Sequence, residues 1–130
     1  CVSGDLGGAY LGVQILEREK RILKEVGNEK PQLEDHKYAI GRQLKPEARQ
    51  DIITFFKEKN IVPTAMIDIS DGLSSELIHI CKQSNVGCRI YEEKIPIALE
   101  TEQTATKLNI NPLTAAINGG EDAELGANEE

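Results

Sequence analysis

A strand that runs directly into a helix is the feature that most restricts how this 130-residue chain can fold. Residues 65–70 alternate in polarity and are rich in branched side chains, which is typical of a β-strand. Asp71-Gly72 follows as a turn, and apolar residues then recur at helical spacing up to Gln83. The side chains predicted to face inward from this helix are Leu73, Leu77, Ile78, Ile80 and Cys81. Such a unit is typical of a fold that mixes helices with a sheet.

The rest of the chain also alternates between helical and extended patterns. Helices are predicted at about 7–24, 33–44, 46–59, 100–108 and 112–117. A second strand is predicted from Val86 to Tyr91, so that strand, turn, helix and strand follow one another. We therefore predict one α/β (α+β) domain over residues 1–130, with a mixed sheet flanked by helices and the 73–83 helix on one face.

Charge is distributed unevenly along the chain. The formal net charge is −7, and residues 61–130 hold 12 acidic but only 4 basic side chains. An acidic half argues against a nucleic-acid partner, which requires basic patches. It suits divalent cations, although we expect most of these groups to form a solvated acidic surface. The sequence has no apolar run of membrane-spanning length, so we expect no membrane partner.

Three cysteines, Cys1, Cys81 and Cys88, suggest a reducing compartment, and we expect a cytoplasmic protein. Together with His79, the last two could be metal ligands. No Cys-x-x-Cys spacing occurs, however, and Cys81 falls on the apolar stripe of a predicted helix. Buried or incidental thiols are therefore the default interpretation.

The residues best suited to chemistry lie at the strand-to-helix turn. Strand alternation places Asp68 and Ser70 on one face, and Asp71 stands where the chain turns. A helix amino terminus offers N–H groups to a phosphate, and neighbouring carboxylates can hold Mg²⁺ against that phosphate. Helix capping by Ser70 or Asp71 is the alternative. Capping leaves Asp68 unexplained, and both interpretations stay open.

Two glycine-rich stretches accompany this turn. Gly119-Gly120-Glu121-Asp122 permits a close backbone approach, although its pattern alone favours an acidic hairpin turn. Residues 4–8 (Gly-Asp-Leu-Gly-Gly) fit neither phosphate-loop pattern and indicate a tight strand-to-helix turn. No arrangement of serine, histidine and acid suggests hydrolytic catalysis.

Four stretches occur in an order that resembles the thiamine-monophosphate kinase family. They are Val2-Ser3-Gly4-Asp5-Leu6-Gly7, Leu44-Lys45-Pro46-Glu47-Ala48-Arg49, Ile67-Asp68-Ile69-Ser70-Asp71-Gly72-Leu73 and Asn118-Gly119-Gly120-Glu121-Asp122. The family belongs to the aminoimidazole-ribonucleotide-synthetase-like superfamily. The likeness covers residues 1 to about 125 and corresponds to the carboxy-terminal part of the family's enzyme.

The resemblance implies ATP-dependent phosphorylation of thiamine phosphate to thiamine diphosphate, with Mg²⁺ and ATP required. It implies that Asp68 and Asp71 are magnesium ligands, that Ser70 contacts ATP and that Glu121 contacts the thiamine substrate. It assigns no catalytic residue within this chain. It also implies a homodimer in the full enzyme.

We expect that this chain is an incomplete domain and that the family's amino-terminal nucleotide-binding domain lies outside it. The chain alone should then have no kinase activity. Ala123 stands where the family usually has tyrosine, which affects the wall of the substrate site. Two alternatives remain: a non-catalytic binding or scaffolding domain with this fold, and a related ATP-using enzyme with another substrate.

Overall fold

The computed structural model describes residues 1–27 and 33–120, and the backbone of 124–128. Within these ranges it has six α-helices, two strands and two short 3-10 turns. The helices are α1 Gly8–Val26, α2 Lys37–Leu44, α3 Gln50–Lys59, α4 Leu73–Ser84, α5 Leu99–Lys107 and α6 Pro112–Asn118. The strands are β1 Ala65–Ile69 and β2 Glu124–Asn128, and the 3-10 turns are Glu34–His36 and Glu92–Lys94. In the described ranges, no helix combines the length and apolar character needed to cross a bilayer.

Helices packed on a sheet confirm the α/β class. The strands β1 and β2 pair antiparallel, with Asp68 opposite Leu125, and the described residues contain no parallel pair that would make the sheet mixed. The predicted strand at Val86–Tyr91 is wrong, because this segment is irregular and exposed. A strand needs a neighbouring backbone to bond its N–H and C=O groups, and no described strand runs beside this segment.

One apolar cluster lies between the first two helices and the helices near residue 110. Its buried members are Leu11, Ile15, Ala39, Ala105 and Ala115. Helix α1 begins at Gly8 and ends at Val26, close to its predicted bounds, because its apolar residues recur at helical spacing. Helix α2 packs against it more extensively than any other element. This cluster joins α1 and α2 to α5 and α6.

A second apolar cluster lies beneath the acidic turn, the strand-to-helix turn of residues 68–72. It contains Leu6, Ile69, Leu73 and Ala116, so it joins β1 to α4 and α6. Leu77 packs against this cluster, as predicted for α4. Burial of such side chains contributes about 1.5–3 kcal/mol each, which fixes the position of the turn.

The predicted inward position of Ile78 is wrong, since 53% of its surface is exposed. One residue advances an α-helix by a quarter turn or more, so the residue after Leu77 leaves the buried stripe. Ile80 and Cys81 are half-buried.

Helix α3 differs most from its prediction. It begins at Gln50, rather than at residue 46, and contains no buried residue. Phe55 in this helix is 47% exposed. Residues 46–49 are not helical, and the guanidinium of Arg49 there bonds both to the Ser3 carbonyl and to the Asp51 carboxylate.

Candidate functional site

The acidic turn presents its polar side chains to solvent. Along β1, burial alternates so that Ile69 is buried whereas Asp68 and Ser70 are exposed. Asp71, at the turn itself, is also exposed. The alternation predicted from the sequence therefore holds, and three oxygen-bearing side chains are accessible within four consecutive residues.

Gly72 occupies the N-cap of α4, with φ 108° and ψ 152°. A positive φ of this size suits glycine, and neither Ser70 nor Asp71 stands at the capping position. The side chain that supports this terminus is Glu76, whose Oε1 accepts a hydrogen bond from the Asp71 backbone N–H at 3.3 Å. The structure therefore leaves the Asp71 carboxylate outside the cap.

The sequence patterns did not indicate a role for Glu76. It is only 5% exposed, although it is an acid on a helix with an acidic turn before it. Its position in the first turn of α4 was an available signal, because acids there interact favourably with free N–H groups. Glu76 holds the backbone of the turn, and Asp68 and Asp71 are thereby presented from a fixed chain.

The second glycine-rich stretch packs directly against this turn. A β-carbon on Gly120 would overlap the Ser70 carbonyl oxygen and come within 3.0 Å of the Asp71 α-carbon. A β-carbon on Gly72 would lie 3.1 Å from the carbonyl oxygen of Asn118. The two backbones touch because both lack side chains at these points.

The structure thus brings the 118–120 segment to the 70–72 turn, although the two are separated by almost fifty residues. The hydroxyl of Ser74 adds a hydrogen bond to the Ile117 carbonyl at 3.2 Å. Glu121, the predicted substrate contact, lies outside the described residues. Its contact with the substrate therefore stays a prediction.

The amino-terminal glycine-rich stretch leads into α1 at Gly8, as expected, but among the described residues no strand precedes it, so the expected strand-to-helix turn is wrong on the strand side. Tyr38 donates a hydrogen bond to Asp5 Oδ2 at 2.7 Å, and Arg42 donates to the Asp5 carbonyl at 3.1 Å. Arg49 donates to the Ser3 carbonyl at 2.5 Å. Burial and the hydrogen bond to Asp5 raise the pKa of Tyr38 well above its usual range. These hydrogen bonds hold the chain just before Leu6, which packs beneath the acidic turn.

Within the described part of the chain, metal-binding potential at the turn rests on the turn's own carboxylates. Among the residues that the structure describes, no group of three or more histidine, cysteine, aspartate or glutamate side chains could hold a metal ion. Asp68 and Asp71 provide exposed carboxylate oxygens, the donors that Mg²⁺ prefers. Mg²⁺ usually takes one or two protein carboxylates and completes its shell with water or phosphate oxygens, so the donor set fits.

The fold agrees with solved structures of small-molecule kinases. A structure of AaThiL complexed with AMPPCP and TMP matches 97% of this chain and 37% of its own, with a TM-score of 0.79 and 32% identity. Thiamine monophosphate kinase from Stenotrophomonas maltophilia matches 95% of this chain and 36% of its own, with a TM-score of 0.73 and 27% identity. The fold is therefore that of an α/β segment found in these solved structures.

Curated relatives narrow this class. Thiamine-monophosphate kinase from Aquifex aeolicus is 34% identical over 125 residues, which is 95% of this chain and 37% of the relative. The Bacillus subtilis kinase is 33% identical over 127 residues, or 95% of this chain and 34% of the relative. No family model matches the chain. The chain spans about a third of the length of these relatives and corresponds to a segment of the thiamine-monophosphate kinase family.

Proposed function

We propose that this chain is part of an enzyme that transfers a phosphoryl group from ATP to thiamine phosphate, giving thiamine diphosphate. The contact between the 118–120 segment and the 70–72 turn is the observation that carries the proposal. It joins the two motifs on which the family resemblance rests. The relatives' name, and the AMPPCP and TMP bound in one of them, support the choice of substrates.

Asp68 and Asp71 would hold Mg²⁺ in this enzyme. The ion, when bound, neutralises phosphate charge during phosphoryl transfer. Phosphoryl transfer requires little covalent work from a protein, so the task of this chain's residues is positioning. Glu76 fixes the Asp71 backbone, and the glycine contact fixes Ser70, whose hydroxyl we assign to ATP.

Glu121 is assigned to the thiamine substrate. It directly follows Gly120, which contacts the Ser70 carbonyl, and this nearness in the chain supports the assignment. The remaining features of the whole enzyme are also proposals: an amino-terminal nucleotide-binding domain, a homodimer and a cytoplasmic location. We expect the 130-residue chain alone to show no turnover, because the other ligands of the nucleotide would be missing.

The test is turnover of thiamine phosphate by the intact enzyme that contains this chain. Asp71→Asn and Asp68→Asn should each lower kcat by about 10²-fold or more, the scale expected when preorganised charge is removed from a transition state. The fold should be unchanged and its free energy of unfolding equal or slightly higher, since a repulsion between like charges is relieved. Circular dichroism and thermal unfolding check this.

Asp35→Asn is the matched control, because Asp35 is an exposed acid in the 3-10 turn before α2. It should keep full activity. Unchanged turnover in both Asp68→Asn and Asp71→Asn would remove their metal role. Mg²⁺-dependent ATP consumption with another acceptor, and none with thiamine phosphate, would favour the related enzyme. No ATP-dependent reaction at all would favour the scaffolding domain.

A further inference from the structure

Two cysteines meet where the chain turns back after α4. The helix ends at Asn85, which has a left-handed conformation with φ 53° and ψ 44°. The backbone N–H of Val86 then donates a hydrogen bond to the Cys81 carbonyl at 3.0 Å. This reversal returns the chain alongside the last turn of the helix, where Cys81 and Cys88 line the same cavity.

Both thiols are accessible. Cys88 is exposed and Cys81 is half-buried. They line one cavity of about 690 Å³, which lies between α4 and the segment 86–91. Its wall is largely apolar and includes Leu77 and Ile90, whereas Arg89 lies among the lining residues as a cation. A cavity of this size admits a small disulfide-containing peptide to either sulfur.

We propose that Cys81 and Cys88 are a reversible dithiol–disulfide pair that reacts with low-molecular-weight disulfides such as oxidised glutathione. This site is independent of the proposed kinase function. One cysteine thiolate attacks a glutathione sulfur, forms a mixed disulfide and releases one glutathione thiolate. The second thiolate attacks the protein sulfur of that mixed disulfide and releases the other glutathione. Two protein thiols are oxidised and one glutathione disulfide is reduced to two thiols.

The order of attack follows from the geometry. The hydrogen bond to Cys88, with desolvation, raises the pKa of the Cys81 thiol, so less of it is thiolate at a given pH. Cys88 is also the more exposed of the two. Cys88 should therefore react first and Cys81 should resolve the mixed disulfide. The 86–91 segment is irregular and no described strand pairs with it, so its backbone can adjust to the geometry that a disulfide requires.

Peptide mapping tests the pair in the intact protein that contains this chain. The reduced protein is equilibrated with a series of oxidised-to-reduced glutathione ratios, alkylated and digested with trypsin. Trypsin separates the two cysteines, which fall in peptides 60–82 and 83–89. We expect these peptides to appear as one disulfide-linked species as the ratio rises, and to separate again after dithiothreitol.

Variants identify the partners. Cys81→Ser and Cys88→Ser should each abolish the linked species, and Cys81→Ser should instead accumulate an unresolved glutathione adduct on Cys88. Cys1→Ser is the matched control, because Cys1 lines the same cavity and should not be required. Separate glutathione adducts on the two peptides at every ratio would overturn the proposal. So would a linkage from either cysteine to Cys1.

Discussion

The segment 65–70, which leads into the acidic turn, and the segment 86–91 have similar sequence patterns but different structures. Both were predicted as strands with branched side chains. Residues 65–69 form β1, paired with β2 and anchored by the buried Ile69, whereas Val86–Tyr91 is irregular and exposed. The difference is the presence of another backbone alongside. Alternating polarity shows that a segment can adopt an extended conformation. Hydrogen bonding to a neighbouring backbone decides whether the segment forms a strand.

Glycine shows the same contrast. Gly120 is pressed against the backbone of Ser70, so its lack of a side chain is structurally required. Gly87 has nothing within 4 Å of the position that a β-carbon would occupy. The first region is specified by tertiary contacts and the second is not. Paired substitutions can measure this difference directly.

The largest contrast should come from Ile69→Ala and Ile90→Ala. Ile69 is 1% exposed within the cluster beneath the turn, so its truncation should lower the free energy of unfolding by about 3 kcal/mol. Ile90 is 44% exposed, and the same change there should cost less than about 1 kcal/mol. Urea denaturation checks both values. Equal losses would mean that the 86–91 segment is packed as firmly as β1.

A smaller contrast is expected for Gly120→Ala and Gly87→Ala. The added methyl group at residue 120 meets backbone atoms of Ser70 and Asp71, which cannot rotate away, and should cost about 2 kcal/mol. Gly87→Ala should change stability by less than about 0.5 kcal/mol, because the methyl group enters open space. Thermal unfolding of the two variants checks this. A neutral Gly120→Ala would show that the two motifs are not in contact.

The smallest contrast concerns two tyrosine hydroxyls. Tyr38→Phe removes the hydrogen bond to Asp5 and should cost about 1 kcal/mol near neutral pH. Tyr91→Phe should be neutral, since Tyr91 is exposed and its ring keeps its contact with the Lys94 ammonium. Denaturation of both variants at one pH checks the pair. A measurable loss in Tyr91→Phe would assign a role to its hydroxyl.

The pH dependence of the Tyr38→Phe effect gives a second measure of the same contact. Burial and the hydrogen bond to Asp5 raise the pKa of Tyr38, so the folded state keeps its proton when the unfolded chain loses it, above about pH 10. Stability from this group is full below that pH and is lost as pH rises. The difference between wild type and Tyr38→Phe should therefore narrow with increasing alkalinity. A constant difference would contradict the raised pKa.

The fold was predictable where local pattern and tertiary environment agree. The bounds of α1 and α4 follow from their apolar stripes and from Gly27 and Asn85, which end them in left-handed conformations. The pattern could not reveal that α3 starts at Gln50, because Arg49 turns toward Ser3, which is far away in the chain. Nor could it show which strands find partners.

The candidate site was predictable in part. Asp68 and Ser70 share the exposed face of β1 because side chains alternate along any strand. The meeting of residues 118–120 with the turn was not predictable, since spacing along the chain carries no information about which segments come into contact. The sequence left open whether Asp71 caps α4, and the position of Gly72 resolves this. The metal, ATP and thiamine assignments stay predictions.

The packing around Gly119 should also affect the rate of deamidation in this protein. Asn118-Gly119 is the sequence's sole Asn-Gly pair, the dipeptide in which a backbone nitrogen most readily attacks the preceding amide to form a succinimide. Here that nitrogen belongs to the buried Gly119, and its hydrogen is donated to the Ala115 carbonyl at 2.8 Å. Deamidation should thus wait for the end of α6 to open. The rate at which isoaspartate accumulates at residue 118 would then report how often this region opens locally.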